Sequence, residues 1–196
     1  FFAITDALPD WVQQRLWVAL IIVAGGIGPR WAARTIGMTP AAATLAGLIY
    51  QCSPYLAPYL ARTSAMLLPW AIAGWLFGAS IRATLTSAPR WIAVMALLIA
   101  TAGGVNTTAI AMVSWLPIAV FFVAYRDRKI SGQRFSGLAV ATTGSAIVMS
   151  AWWVASAVIG ARFGPDLLGF SETVRDVSST STGLEVFRGA GYWLNY

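Results

Sequence analysis

The stretch WIAVMALLIATAGGVNTTAIAMVSWLPIAVFFVAY, from Trp91 to Tyr125, contains no charged residue. As a single helix it would run about 52 Å at roughly 1.5 Å per residue, far beyond the ~30 Å of bilayer hydrocarbon. Gly103-Gly104-Val105-Asn106 interrupts it with residues that favour a turn. The stretch therefore reads as two antiparallel passes, Trp91–Ala102 and Thr107–Tyr125.

The rest of the chain has the same character. Of 196 residues, 58% are apolar and 10% charged, with a mean hydropathy of +0.70. Soluble domains carry roughly a quarter charged residues, so the chain reads as a polytopic membrane protein. There is no His, and Cys52 is the single Cys. That excludes Ser-His and Cys-His catalytic pairs, disulfides within the chain and zinc sites built on His or several Cys. Further passes are expected at Trp11–Gly28, Thr39–Cys52, Ser64–Ile81 and Phe135–Gly160, giving an all-α bundle of about six transmembrane helices over residues 1–160. Residues 161–196 are expected to begin a longer extracytoplasmic region. Starting without Met and stopping in a polar stretch, the chain reads as a fragment.

Six alternating passes divide the charges unequally. One side holds Arg30, Arg34, Arg82, Arg90, Arg126, Arg128, Lys129 and Arg134 against Asp127. The other holds Arg15, Arg62, Arg162, Arg175 and Arg188 against Asp6, Asp10, Asp166, Glu172, Asp176 and Glu185. Basic loops face the cytoplasm, so the 126–134 loop is expected there and the 161–196 tail outside. This topology explains the net charge of +6 and removes nucleic acid as a partner. Attraction to anionic lipid remains.

Thr39–Cys52 and Trp91–Ala102 are too short to span, about 18–21 Å of helix. The breaks that end them, Ser53-Pro54 and Gly103–Asn106, fall on the outer side. Irregular backbone at membrane depth must be buried or line a cavity, which predicts a water-accessible hollow in the outer half. Helices that simply tilt or end early are the alternative.

Few polar groups are available there. Asn106 could hold sugar hydroxyls or cap the helix starting at Thr107. Arg62 could pair with a phosphate or snorkel to lipid headgroups. The tail mixes acids, hydroxyls and aromatics, among them Glu172 and Trp193, as carbohydrate sites do and as interfacial loops also do. Gly25-Gly26, Ala41, Ala42, Ala43 and Gly47 read as close helix contacts. Trp152-Trp153 reads as packing or interfacial belt. No nucleotide or metal-spacing motif is present.

Several segments together resemble the α-(1→3)-arabinofuranosyltransferase family. They are Leu8-Pro9-Asp10-Trp11-Val12-Gln13-Gln14-Arg15-Leu16-Trp17, then Ser53-Pro54 followed by Leu67-Leu68-Pro69-Trp70, then Gly104-Val105-Asn106-Thr107-Thr108-Ala109. The longest is the end: Ala161-Arg162-Phe163, Glu172, the Ser/Thr run at 178–182 and Arg188-Gly189-Ala190-Gly191-Tyr192-Trp193. In order, they span almost the whole chain. This chain departs from the family in having Ala161-Arg162-Phe163 for Gly-Arg-Tyr and Ser within the Thr-rich run.

The resemblance implies part of a GT-C-type glycosyltransferase fold in the plasma membrane. Its donor would be decaprenyl-phosphoryl-arabinofuranose and its acceptor arabinan, on the outer face. It implies inverting transfer, with a catalytic carboxylate in a first outer loop expected upstream of Phe1. Arg62 and Arg162 are then the candidates for donor phosphate, and Asn106, Glu172 and Trp193 for sugar. A divalent cation is the alternative phosphate partner, although no metal-ligand cluster is visible. The rival readings are a transporter or flippase of lipid-linked sugars, against which no repeat relates the two halves, and a non-catalytic scaffold of envelope assembly.

Overall fold

The computed structural model describes residues 7–60, 64–86, 88–104, 111–164 and 183. Among them the fold is all helical. Its elements are α1 (Asp10–Thr35), α2 (Pro40–Gln51), α3 (Leu56–Leu60), a 3-10 turn (Ser64–Leu67), α4 (Leu68–Leu85), α5 (Arg90–Gly103), α6 (Trp115–Arg126) and α7 (Gly132–Phe163). Two helices are long and apolar enough to cross a membrane, Asp10–Thr35 and Gly132–Phe163. Arg90–Gly103 and Ala111–Arg126 are apolar but shorter.

Local chemistry sets most helix ends. Thr39 caps α2 by accepting from the Ala42 N–H at 3.3 Å, with Pro40 in the first turn. Ser131 does the same for α7 through Arg134 N–H at 3.2 Å. Gly37, at φ +92°, closes α1 as the Met38 N–H returns to the Ala33 carbonyl at 3.1 Å. The C-terminal end of α4 is satisfied from afar, the Arg134 guanidinium donating to the Thr86 carbonyl at 3.0 Å.

α1 corrects one expected boundary. It does not stop at Gly28 but runs through Pro29 to Thr35. Pro29 deprives the Gly25 carbonyl of its helical donor, yet the helix continues to Thr35. Gly74 of α4 lies against the backbone of Pro29 so closely that a Cβ there would overlap it.

This contact belongs to an interlock of glycines and tryptophans between α1 and α4. The Trp70 ring fills the space over Gly25, the Trp75 ring that over Gly28, and the Trp31 ring that over Gly78. α2 joins in the same way, with Gly47 against the Gly26 carbonyl and the Gln51 amide over Gly26. The missing side chains also expose α1 carbonyls to second donors. Gln51 Nε2 donates to Ile22 O at 2.9 Å, and Trp75 Nε1 to Ala24 O at 3.0 Å. In each case the residue four further on, Gly26 or Gly28, is the one without a side chain. Of the small residues expected at close helix contacts, Gly25, Gly26, Ala43 and Gly47 are found there, whereas Ala41 is exposed and Ala42 half-buried.

Further packing carries the bundle outward. Trp31 stacks on Trp75 with centroids 5.6 Å apart and meets Trp91 of α5 at 5.8 Å. Ser80, fully buried, donates to the Leu76 carbonyl at 2.6 Å and lies 3.3 Å from the Met95 sulfur. α5 and α6 both pack on α4, and α7 packs on α5 and α6. Much of α7 stays uncovered, Val148 being 73% exposed and Trp152 65%. An apolar surface of that kind needs lipid or another apolar chain against it.

We expect Gly74→Ala to cost about 1–3 kcal/mol, because its methyl meets the Pro29 backbone. Gly144→Ala, where a methyl meets open space, should be neutral or gain up to about 1 kcal/mol from helix propensity. Thermal unfolding of the solubilised protein compares the two, and equal midpoints would contradict the interlock.

Candidate functional site

A groove of about 840 Å³ lies between α5, α6 and α7. Ile99 of α5, Ser114 and Trp115 at the start of α6, and Thr142, Ala146, Ser150 and Trp153 of α7 are among its lining residues. It lies toward the Gly103-Gly104 end of α5, away from the basic turn at Asp127–Ile130. A hollow is expected in this half of the bundle. The groove found there has a mostly aliphatic and aromatic wall, suited to a hydrocarbon chain more than to bulk water.

Polar groups nonetheless line it. Thr142 is 2% exposed, and its Oγ1 has no hydrogen-bond partner. Other helical hydroxyls bond back to the preceding turn, as Ser136 does to Gly132 O at 3.1 Å and Ser156 to Trp152 O at 3.1 Å. The Trp153 indole N–H is also buried without a partner, and Ser150 is buried nearby on the same face. Unpaired buried polar groups of this kind cost roughly 1–3 kcal/mol each. At the groove's upper edge Trp152 packs its ring against Gly104, where a Cβ would sit 2.6 Å from it. Of the tryptophan pair, read from sequence as packing or interfacial belt, Trp152 touches Gly104 but is 65% exposed, while Trp153 lines the groove.

A second cluster surrounds the Ser53-Pro54 break. Tyr50 stacks on Trp70 at 5.2 Å and donates to its carbonyl at 2.8 Å. Tyr55 donates to the Met66 carbonyl at 3.0 Å and lies 4.7 Å from the Tyr59 ring. Burial, and after it the neighbouring Tyr59, pushes the Tyr55 phenol up to about 12. It therefore stays a donor throughout the physiological range. Its stabilising share is intact below pH 10, where the unfolded phenol is also protonated, and is lost as pH climbs from there through 12.

Of the residues singled out from sequence, Arg62, Asn106, Glu172 and Trp193 lie outside the described residues, as does nearly all of the 161–196 region. Arg162 is described. It is exposed in the last turn of α7, its guanidinium 5.6 Å over the Phe163 ring, about two helical turns beyond the groove. Thr142 and Ser150 are not among those residues, and Trp153 is among them only as packing or interfacial belt. A signal for them exists, since 142, 146, 150 and 153 follow the four-, four- and three-residue spacing of one helix face. Among the described residues no group of three or more His, Cys, Asp or Glu side chains could hold a metal ion.

Removing the unpartnered hydroxyl with Thr142→Val should leave stability unchanged or raise it by about 1 kcal/mol. Ser80→Ala, which deletes a made hydrogen bond, should cost about 1 kcal/mol. A larger loss at Thr142 than at Ser80 in thermal unfolding would show that the Thr142 hydroxyl has a partner.

Comparison with known proteins is consistent over the whole chain. Residues 1–196 match the family described as Alpha-(1->3)-arabinofuranosyltransferase, N-terminal GT-C domain. Two curated proteins named Alpha-(1->3)-arabinofuranosyltransferase are similar: one of Mycobacterium tuberculosis, 26% identical over 200 residues, and one of Mycolicibacterium smegmatis, 27% identical over 198. Each alignment covers 98% of this chain but 14% of the relative's length. No solved structure matches significantly.

Proposed function

The chain belongs to the α-(1→3)-arabinofuranosyltransferase N-terminal GT-C domain family, and on that footing we propose that it forms the membrane portion of a glycosyltransferase. The enzyme transfers arabinofuranose from decaprenyl-phosphoryl-arabinofuranose to cell-wall arabinan on the outer face of the plasma membrane. The observation that carries this reading is the family match across residues 1–196. The groove supports it by its chemistry. A polyprenyl carrier needs a long apolar seat, and the groove offers one with a mostly aliphatic and aromatic wall.

In this reading the isoprenoid chain lies along α7 between α5 and α6, and the phosphate emerges at the outer end of the bundle. Arg62 and Arg162 neutralise it, a task that suits the guanidinium fork. Asn106, Glu172 and Trp193 contact sugar. The acceptor hydroxyl attacks the anomeric carbon as the bond to phosphate oxygen breaks, which inverts the centre and releases polyprenyl phosphate. A carboxylate outside the residues named here takes the hydroxyl proton, and the arginines stabilise charge building on the leaving phosphate. Six passes, the 126–134 loop in the cytoplasm and the 161–196 segment outside complete the topology. The charge asymmetry of the loops supports that orientation.

In the complete protein, Arg62→Ala or Arg162→Ala should lower transfer from the polyprenyl-phosphate donor at least tenfold, with normal folding. Unchanged rates in both variants would remove the phosphate assignment. In the complete protein stripped of its other cysteines, Cys52 alone should react with a membrane-impermeant maleimide in intact cells, whereas a single cysteine placed at Arg128 with Cys52 replaced should resist it. The reverse pattern would invert the topology.

A further inference from the structure

We propose that a second groove, at the basic end of the bundle, is a binding site for one anionic glycerophospholipid, with an acyl chain in the groove and the phosphate at Lys129. The groove, of about 370 Å³, runs between the ends of α1, α4 and α6, and Ile36, Phe77, Ile81, Val120, Val123 and Lys129 are among its lining residues. Its wall offers an acyl chain almost nothing polar. The Thr84 hydroxyl is already engaged with the Ile81 carbonyl at 2.7 Å. Lys129 is the cation that lines it.

Charge and geometry at this end point to an anion. Lys129 has Asp127 as a partner at 3.6 Å, but the two side chains are 72% and 44% exposed. Such a pair is weak and exchangeable, and it leaves ammonium hydrogens for a second acceptor. Arg126 and Arg128 flank the same turn, both exposed. Arg30, Arg34, Arg82, Arg90 and Arg134 sit on helix ends at the same side of the bundle, with Asp127 the acid among the described residues there. Arg128 also stands at φ +57°, just past the end of α6, where the Lys129 N–H returns to the Ala124 carbonyl at 2.9 Å. Glycine is the usual occupant of that left-handed position; here it carries the exposed Arg128. A phospholipid supplies in one molecule the two things this place lacks, a hydrocarbon chain and a phosphate. The inference stands apart from the proposed enzymatic activity.

The test uses the complete protein in detergent, with native mass spectrometry reading lipids retained from mixed phosphatidylglycerol and phosphatidylcholine micelles. Phosphatidylglycerol should be retained at least fivefold over phosphatidylcholine. Lys129→Gln should abolish that preference. Val123→Phe, which fills the groove at an exposed rim position without changing charge, should reduce phosphatidylglycerol retention to a similar degree. Millimolar inorganic phosphate should not displace the lipid. Thermal midpoints close to wild type would show that both variants fold. Equal retention of the two lipids would overturn the proposal. So would a preference untouched by Val123→Phe, which would mean that diffuse charge rather than a seated chain holds the lipid, or displacement by phosphate alone.

Discussion

The close approach of α1 and α4 is the constraint on which the other helices depend. Gly25, Gly28, Gly74 and Gly78 remove the side chains that would hold the two axes apart, and Trp70, Trp75 and Trp31 fill the space so opened. In a membrane, where lipid tails are as apolar as the residues they would replace, helix association rests on packing and on hydrogen bonds between helices. Here the same glycines serve both. By leaving Ile22 and Ala24 carbonyls uncovered, Gly26 and Gly28 let Gln51 and Trp75 donate across the helix boundary. α1 thus packs against both α2 and α4, and α4 in turn carries α5 and α6.

α7 is held differently. It packs on α5 and α6 but leaves most of its length uncovered, and the 840 Å³ groove opens between the three. Two features make this place chemically distinct from the rest of the uncovered surface. The Thr142 hydroxyl and the Trp153 indole are buried without partners, and the groove adjoins the end of α5, a helix of 14 residues or about 21 Å.

Much of the bundle is legible in the residues. Thr39-Pro40 announces the start of α2, Gly103-Gly104 the end of α5, and the expected bounds of both passes agree with the helices to within a residue. Gly25, Gly26 and Gly47 read correctly as close contacts because small residues have few other reasons to recur on apolar helices. Which tryptophan covers which glycine is not local information, since Trp70 and Gly25 are far apart in the chain and meet only once α1 and α4 are paired. The same reason explains α1. Pro29 locally argues for an end at Gly28, and only Gly74 from α4 makes room for the helix to go on. At the site, Thr142 and Ser150 escape notice because hydroxyls in apolar helices ordinarily bond back to their own backbone. Only the fold shows that Thr142 does not.

Photo-crosslinking tests the central claim most directly. A polyprenyl phosphate carrying a diazirine in its isoprenoid chain, bound to the complete protein and mapped by peptide mass spectrometry, should label α7 between Thr142 and Val154, together with Ile99 or Trp115. Competition with unlabelled polyprenyl phosphate should suppress the adducts. Competable labelling confined to other parts of the protein, with α5, α6 and α7 unmodified, would contradict the account.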